Sequence, residues 1–125
     1  MTQQIVDITK APTIEPVFRS LDQLYTLRRP LEVAEFLDAH PFLGPLLLEA
    51  YGKIMQYFES FPDVLLEVVT DPEAQGLVKM FGYIVTSLTP EEAGRRLRQF
   101  DREWFLSQIP RAEGLLNFDV EFQTL

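Results

Sequence analysis

Residues 46–59, LLLEAYGKIMQYFE, constrain this chain more than any other stretch. On a helical wheel of about 100° per residue, Leu46, Leu47, Ala50, Tyr51, Ile54, Tyr57 and Phe58 hold the centre of one apolar arc. Leu48 and Met55 widen one edge, and Glu49, Gly52, Lys53, Gln56 and Glu59 are left for water. A surface helix needs an apolar stripe of about 100°, and this arc is roughly twice as wide. Such a helix must be covered from two sides, so the rest of the chain is expected to wrap around it.

The flanking residues set its limits. Gly44-Pro45 offers an N-cap and a first-turn proline, or the helix begins at Pro41 and does without the bond Pro45 cannot donate. It ends near Ser60, ahead of Pro62. Before it, Pro30 opens a short helix, LEVAEFLDA, which His40-Pro41 breaks because a residue preceding proline avoids the helical region. Leu21, Leu24 and Leu27 are spaced for a short helical turn within 19–29. Residues 1–18, with Pro12 and Pro16, read as an extended N-terminal arm, and 19–125 as one domain.

After the long helix the pattern changes to strands. Residues 64–70, VLLEVVT, are β-branched and apolar on both faces, as in a central strand. Asp71-Pro72-Glu73 and Gly76 supply turn chemistry, and a second strand follows over about 77–87. Thr89-Pro90-Glu91-Glu92 is the sharpest local signal: Thr89 caps a helix, Pro90 takes its first position and Glu92 completes a capping box. Ala93, Leu97, Phe100 and Trp104 then make one core stripe, and Pro110 stops the helix. Residues 116–123 alternate cleanly, with Leu116, Phe118, Val120 and Phe122 on one face and Asn117, Asp119, Glu121 and Gln123 on the other.

Helix–helix–strand–strand–helix–strand predicts an α+β fold with helices packed on one face of a three-stranded, mostly antiparallel sheet. The two-sided apolarity of 64–70 favours strand order 2-1-3, with the last strand parallel to the second. HPFLGPLLLEAYGKI, LLEVVTDPEA, SLTPEEAGRRLRQFDREWF and PRAEGLLNFDVEF together resemble a family of small bacterial, chiefly cyanobacterial, proteins with no assigned activity. The resemblance covers about residues 20–122. It implies a compact single domain and no site residues.

Composition narrows the function classes. With no cysteine there are no thiol nucleophiles, disulfides or thiolate metal sites, which suits a reducing cytoplasm. The opening MTQQIVDITK lacks the basic and apolar regions of a signal peptide. No apolar run approaches the roughly 20 residues a membrane span needs. The net charge of −8 is concentrated in residues 31–88, which sum to −7, so nucleic acid and anionic lipid are poor partners. Neither a phosphate-cradling glycine loop nor a dinucleotide fingerprint occurs. No cofactor or metal is expected.

Few residues are equipped for chemistry. His40, the sole histidine, stands where a capping or hinge residue belongs, and a triad around it has no identifiable partner. Asp119 and Glu121 share a strand face and Glu67 can join them. Converged carboxylates hold a divalent cation or act as an acid/base pair, while splayed ones merely solvate a strand. Arg95, Arg98 and Arg102 form a row that can clasp an acidic partner, although Glu91, Glu92 and Asp101 are spaced to pair with arginines of that helix. Phe105 and Ile109 lie about 100–160° from the core stripe, and Leu106 lies further round. These last turns are therefore either covered by residues 14–27 or form a contact patch.

The expected function is a non-enzymatic protein-interaction or regulatory module that pairs with itself, as a homodimer, or with another protein. Its candidate surface is Arg95, Arg98, Arg102, Phe105 and Ile109. The alternative is a metal-assisted hydrolase or small-ligand binder built on Glu67, Asp119 and Glu121.

Overall fold

The computed structural model describes residues 20–59, 61–71, 73 and 76–123. The arm expected over 1–18 lies outside them. A helical turn at 20–24 leads into β1 (Thr26–Leu27), α1 (Pro30–Ala39), α2 (Leu43–Tyr57), β2 (Val64–Asp71) and β3 (Leu77–Thr86). Then come α3 (Pro90–Glu103), a 3-10 turn (Phe105–Gln108), the short α4 (Ile109–Ala112) and β4 (Leu116–Phe122).

The fold is α+β, but the sheet corrects the expected one. It has four strands in the order β1-β2-β3-β4 and is mixed. β2 and β3 are antiparallel, β1 runs parallel to β2, and β4 runs parallel to β3. The last strand thus has the expected direction beside a different neighbour, and the order 2-1-3 does not occur. The connection through α3 returns the chain to the strand it has just left, as consecutive elements usually do. The far edge of β2 is taken by β1, whose two residues are too few to show a period of two in sequence.

α2 is wrapped as its arc requires. Leu46, Leu47, Ala50, Tyr51 and Ile54 are buried, and Leu48 and Met55 pack at the core margin. The helix begins at Leu43, between the two starts the prolines suggest. Pro45 sits in its first turn, where a missing N–H is no loss. Two buried tyrosines tie α2 to its neighbours: the Tyr25 hydroxyl donates to the Leu47 carbonyl at 2.8 Å, and that of Tyr51 to the Pro62 carbonyl at 2.9 Å.

The sheet register decides which face is core. Val64, Leu66, Met80, Ile84, Leu116 and Phe118 share one face, and all are buried under the helices. Leu65, Glu67, Val69, Lys79, Phe81, Tyr83, Val85, Asn117 and Glu121 share the other and are half-buried. Register puts position 82 on the core face, where Phe118 of β4 fills the space a side chain would need. A Cβ there would stand 2.6 Å from the ring.

α3 begins as its capping signal says, with the Glu92 N–H donating to Thr89 Oγ1 at 3.2 Å. The other half of the capping box differs, because the Glu92 carboxylate is taken by Arg95 and Arg96. The helix ends at Trp104, whose φ of −145° breaks the turn six residues before Pro110. Pro110 instead sits in the first turn of α4. The break swings Phe105 inward. Its ring stacks on Phe100 at 6.0 Å and meets Phe118 edge-on at 5.2 Å.

Candidate functional site

The open face of the sheet carries the most distinctive arrangement of side chains in the molecule. Its centre is aromatic: Phe81 and Tyr83, two residues apart on β3, stack with centroids 5.7 Å apart. Leu65 and Val69 of β2 and Val85 of β3 surround them. Above this apolar ground lies Arg28, which follows β1 and is fixed by its N–H donating to the Leu66 carbonyl at 2.9 Å.

Arg28 spans the sheet. One guanidinium nitrogen donates to Glu67 Oε1 of β2 at 3.3 Å and another to Glu121 Oε2 of β4 at 2.6 Å. Between them the guanidinium carbon stands 5.7 Å from the centre of the Tyr83 ring. Arg29 completes the cluster from the N-cap of α1, donating to Glu67 Oε2 at 3.0 Å, to the Val68 carbonyl at 3.1 Å and to Glu32 at 3.1 Å. Arg29 holds a left-handed φ of 50°, which is uncommon for a residue with a side chain. Its backbone twist and its three bonds go together.

Electrostatics follow from this crowding. The bond to Glu121 first, then that to Glu67, raises the pKa of Arg28. The Tyr83 hydroxyl is raised by burial first, then by Glu67, Asp119 and Glu121, against the lowering charge of Arg28. The three strand carboxylates therefore do gather round Tyr83, but Arg28 stands among them as counter-ion. Among the described residues no group of three or more His, Asp or Glu is placed to hold a metal ion.

Beside this cluster a groove of about 650 Å³ runs along the end of the face, lined by Asp63, Leu65, Val85, Glu121, Phe122 and Gln123. It joins apolar walls to two carboxylates, one of which, Asp63, accepts a bond from Thr26 Oγ1 at 3.0 Å.

The arginine row is placed as the helical wheel implies. Arg95, Arg98 and Arg102 are exposed on α3. Arg95 is spent locally, donating to Glu92 at 2.6 and 3.1 Å, and with Arg96 it depresses the Glu92 pKa to about 2. Neither Arg98 nor Arg102 has an ion pair among the described residues, and the spacing of Arg98 to Asp101 produces none. Phe105 is only 3 % exposed and belongs to the core, so it drops out of the candidate surface. Leu106 and Ile109 are exposed. His40 ends α1: its backbone N–H donates to the Phe36 carbonyl, and its ring packs 4.5 Å from Phe36.

Sequence reasoning found the face and its carboxylates but missed Arg28 and Arg29. An adjacent Arg-Arg pair just before Pro30 was the available signal. No protein-family model, characterised protein or solved structure matches the chain. Among the described residues no helix is long and apolar enough to cross a membrane.

Proposed function

We propose that this protein is a non-catalytic protein-interaction module that works as a self-associating unit through the open face of its sheet. The observation that carries the reading is the stacked Phe81–Tyr83 pair with Leu65, Val69 and Val85, on the side of the sheet away from the helices. An apolar, aromatic centre rimmed by charged groups is the usual anatomy of a protein interface. The ion pairs of Arg28 point the same way. They neutralise Glu67 and Glu121 internally, which suits a contact surface better than a catalytic pair that needs a free carboxylate.

The same reading keeps the chain in a bacterial cytoplasm, in line with its lack of cysteine and its resemblance to small bacterial proteins. Sedimentation equilibrium at micromolar concentration is the test. A species of twice the 14.5 kDa chain mass supports the reading, and a single species at 14.5 kDa overturns it. Phe81→Lys is the control, since a charge placed in the apolar centre should return the dimer to monomer.

A further inference from the structure

The outer edge of the sheet, β4, is guarded at one position against simple strand addition. The Met80 N–H donates to the Leu115 carbonyl and the Gln123 N–H to the Thr86 carbonyl, which sets the phase of the β3–β4 ladder. Odd-numbered residues of β4 turn their backbone groups to β3, and even-numbered residues turn theirs outward. One of those outward groups, the Val120 N–H, is taken by Asp119 Oδ1 at 2.8 Å. An acidic side chain folded over an edge N–H guards against edge-to-edge pairing. Two copies joined as one continuous sheet would also bring their Asp119 and Glu121 side chains together on the same face.

The surface around this edge is strongly divided by charge. On the open face stand Asp119, exposed, and Glu121, half-exposed. Round the corner, α3 packs against β4 through Phe100 on Phe118, with centroids 5.6 Å apart. Asp101 follows Phe100 by about 100° round α3 and is half-buried, and burial first, then the charge of Asp119 on β4, raises its pKa. Beyond Asp101, further round the helix, come Arg98 and Arg102. They are the two arginines of the row that make no ion pair among the described residues. Acidic strand and basic helix thus lie on opposite sides of one edge.

We infer that a second copy of this chain docks across β4, turned over by a twofold axis in the plane of the sheet. In that arrangement Arg98 and Arg102 of each copy meet Asp119 of the other, while Glu121 stays with Arg28 of its own chain. The inference rests on the self-association proposed above and specifies its geometry. Turning one copy over is what the charges require, because only then does the helix layer of one protomer adjoin the open face of its partner. The contact is isologous, so both pairings form at once and the assembly closes as a dimer. It also lays α3 of the second copy beside the half-exposed apolar side chains of the open face. The guarded Val120 N–H leaves the joint to side chains, which makes it sensitive to salt.

The experiment is a charge swap in the full chain. Arg98→Glu with Arg102→Glu sets acid against acid at both contacts, and Asp119→Lys sets base against base. Each variant alone should dimerise about tenfold more weakly or worse, since like charges facing each other are strongly disfavoured. Mixed in equal amounts they should form a heterodimer near wild-type affinity, because one contact is native and the other is reversed at both ends. Circular dichroism checks that each variant is folded, and the arginine pair provides a clean arm because neither residue makes an ion pair among the described residues. If wild type dimerises but the arginine variant does so equally well, or the mixture gives no heterodimer, the inference fails while self-association stands. A monomeric wild type overturns both.

Discussion

Arg28 and Glu121, 93 residues apart in sequence, meet at 2.6 Å across the open face, and the same guanidinium holds Glu67 from the opposite side. A planar fork with several fixed N–H groups suits this double engagement, and an ammonium does not. Arg28→Met should lower the unfolding midpoint by leaving two carboxylates near Tyr83 without their counter-ion. Arg28→Lys should recover only part of the loss. The difference from wild type should shrink in 1 M salt, because the groups are half-exposed and screened. Urea titrations at low and high salt measure this, and an equal loss in both would refute an ionic role.

Gly82 is held to a glycine by Phe118, whose ring would lie 2.6 Å from a new Cβ. That ring cannot swing away freely, since Phe100 and Phe105 meet it edge-on at 5.6 and 5.2 Å. Gly82→Ala should therefore destabilise the fold by about 1–3 kcal/mol, the usual cost of overpacking. Chemical denaturation reads the change directly. A neutral substitution would show that the Phe118 ring gives way without cost.

Thr89 Oγ1 accepts the Glu92 N–H at the start of α3. Replacing it with alanine should cost about 1 kcal/mol, and serine should restore most of that. Because Glu92 spends its carboxylate on Arg95 and Arg96, Glu92→Gln should not reproduce the loss of a cap. An unchanged midpoint in Thr89→Ala would contradict the assignment.

Asp101 is part-buried beside β4, and burial followed by the charge of Asp119 raises its pKa above the ordinary value of 3.8. The folded state thus holds this proton more tightly than the unfolded state. Its contribution to stability is present in acid and is lost as pH rises through the folded pKa. Asp101→Asn, which stays neutral, should be more stable than wild type at pH 7. The advantage should vanish as the pH falls below 3.8. Thermal melts across that range, at one chain concentration to hold association constant, decide the sign; a variant less stable at pH 7 reverses it.

Several features were decided locally and could be read from short windows. The cap at Thr89, the wide apolar arc of α2 and the alternation of 116–122 each depend on residues within a few positions of one another. So does the α+β class, which follows from where the period changes from 3.6 to 2. The carboxylates of Glu67 and Glu121 were visible as members of one face.

Their counter-ion was not, because the path that brings Arg28 over Tyr83 depends on a two-residue strand with no pattern of its own. Phe105 shows the same division. A continuous helical wheel turns it outward, but the chain breaks at Trp104 and the ring enters the core between Phe100 and Phe118. Strand order also lay beyond local reach. A periodicity states which face of a strand is apolar, whereas the neighbour that covers its edge is chosen by the whole chain's packing. Contiguous residues sufficed for the long elements and most of their faces, but not for β1 or the end of α3, and packing chose which edges met and which charges faced each other. The reason is that side-chain periodicity is a property of contiguous backbone, while pairing is a property of chain paths separated by up to 93 residues.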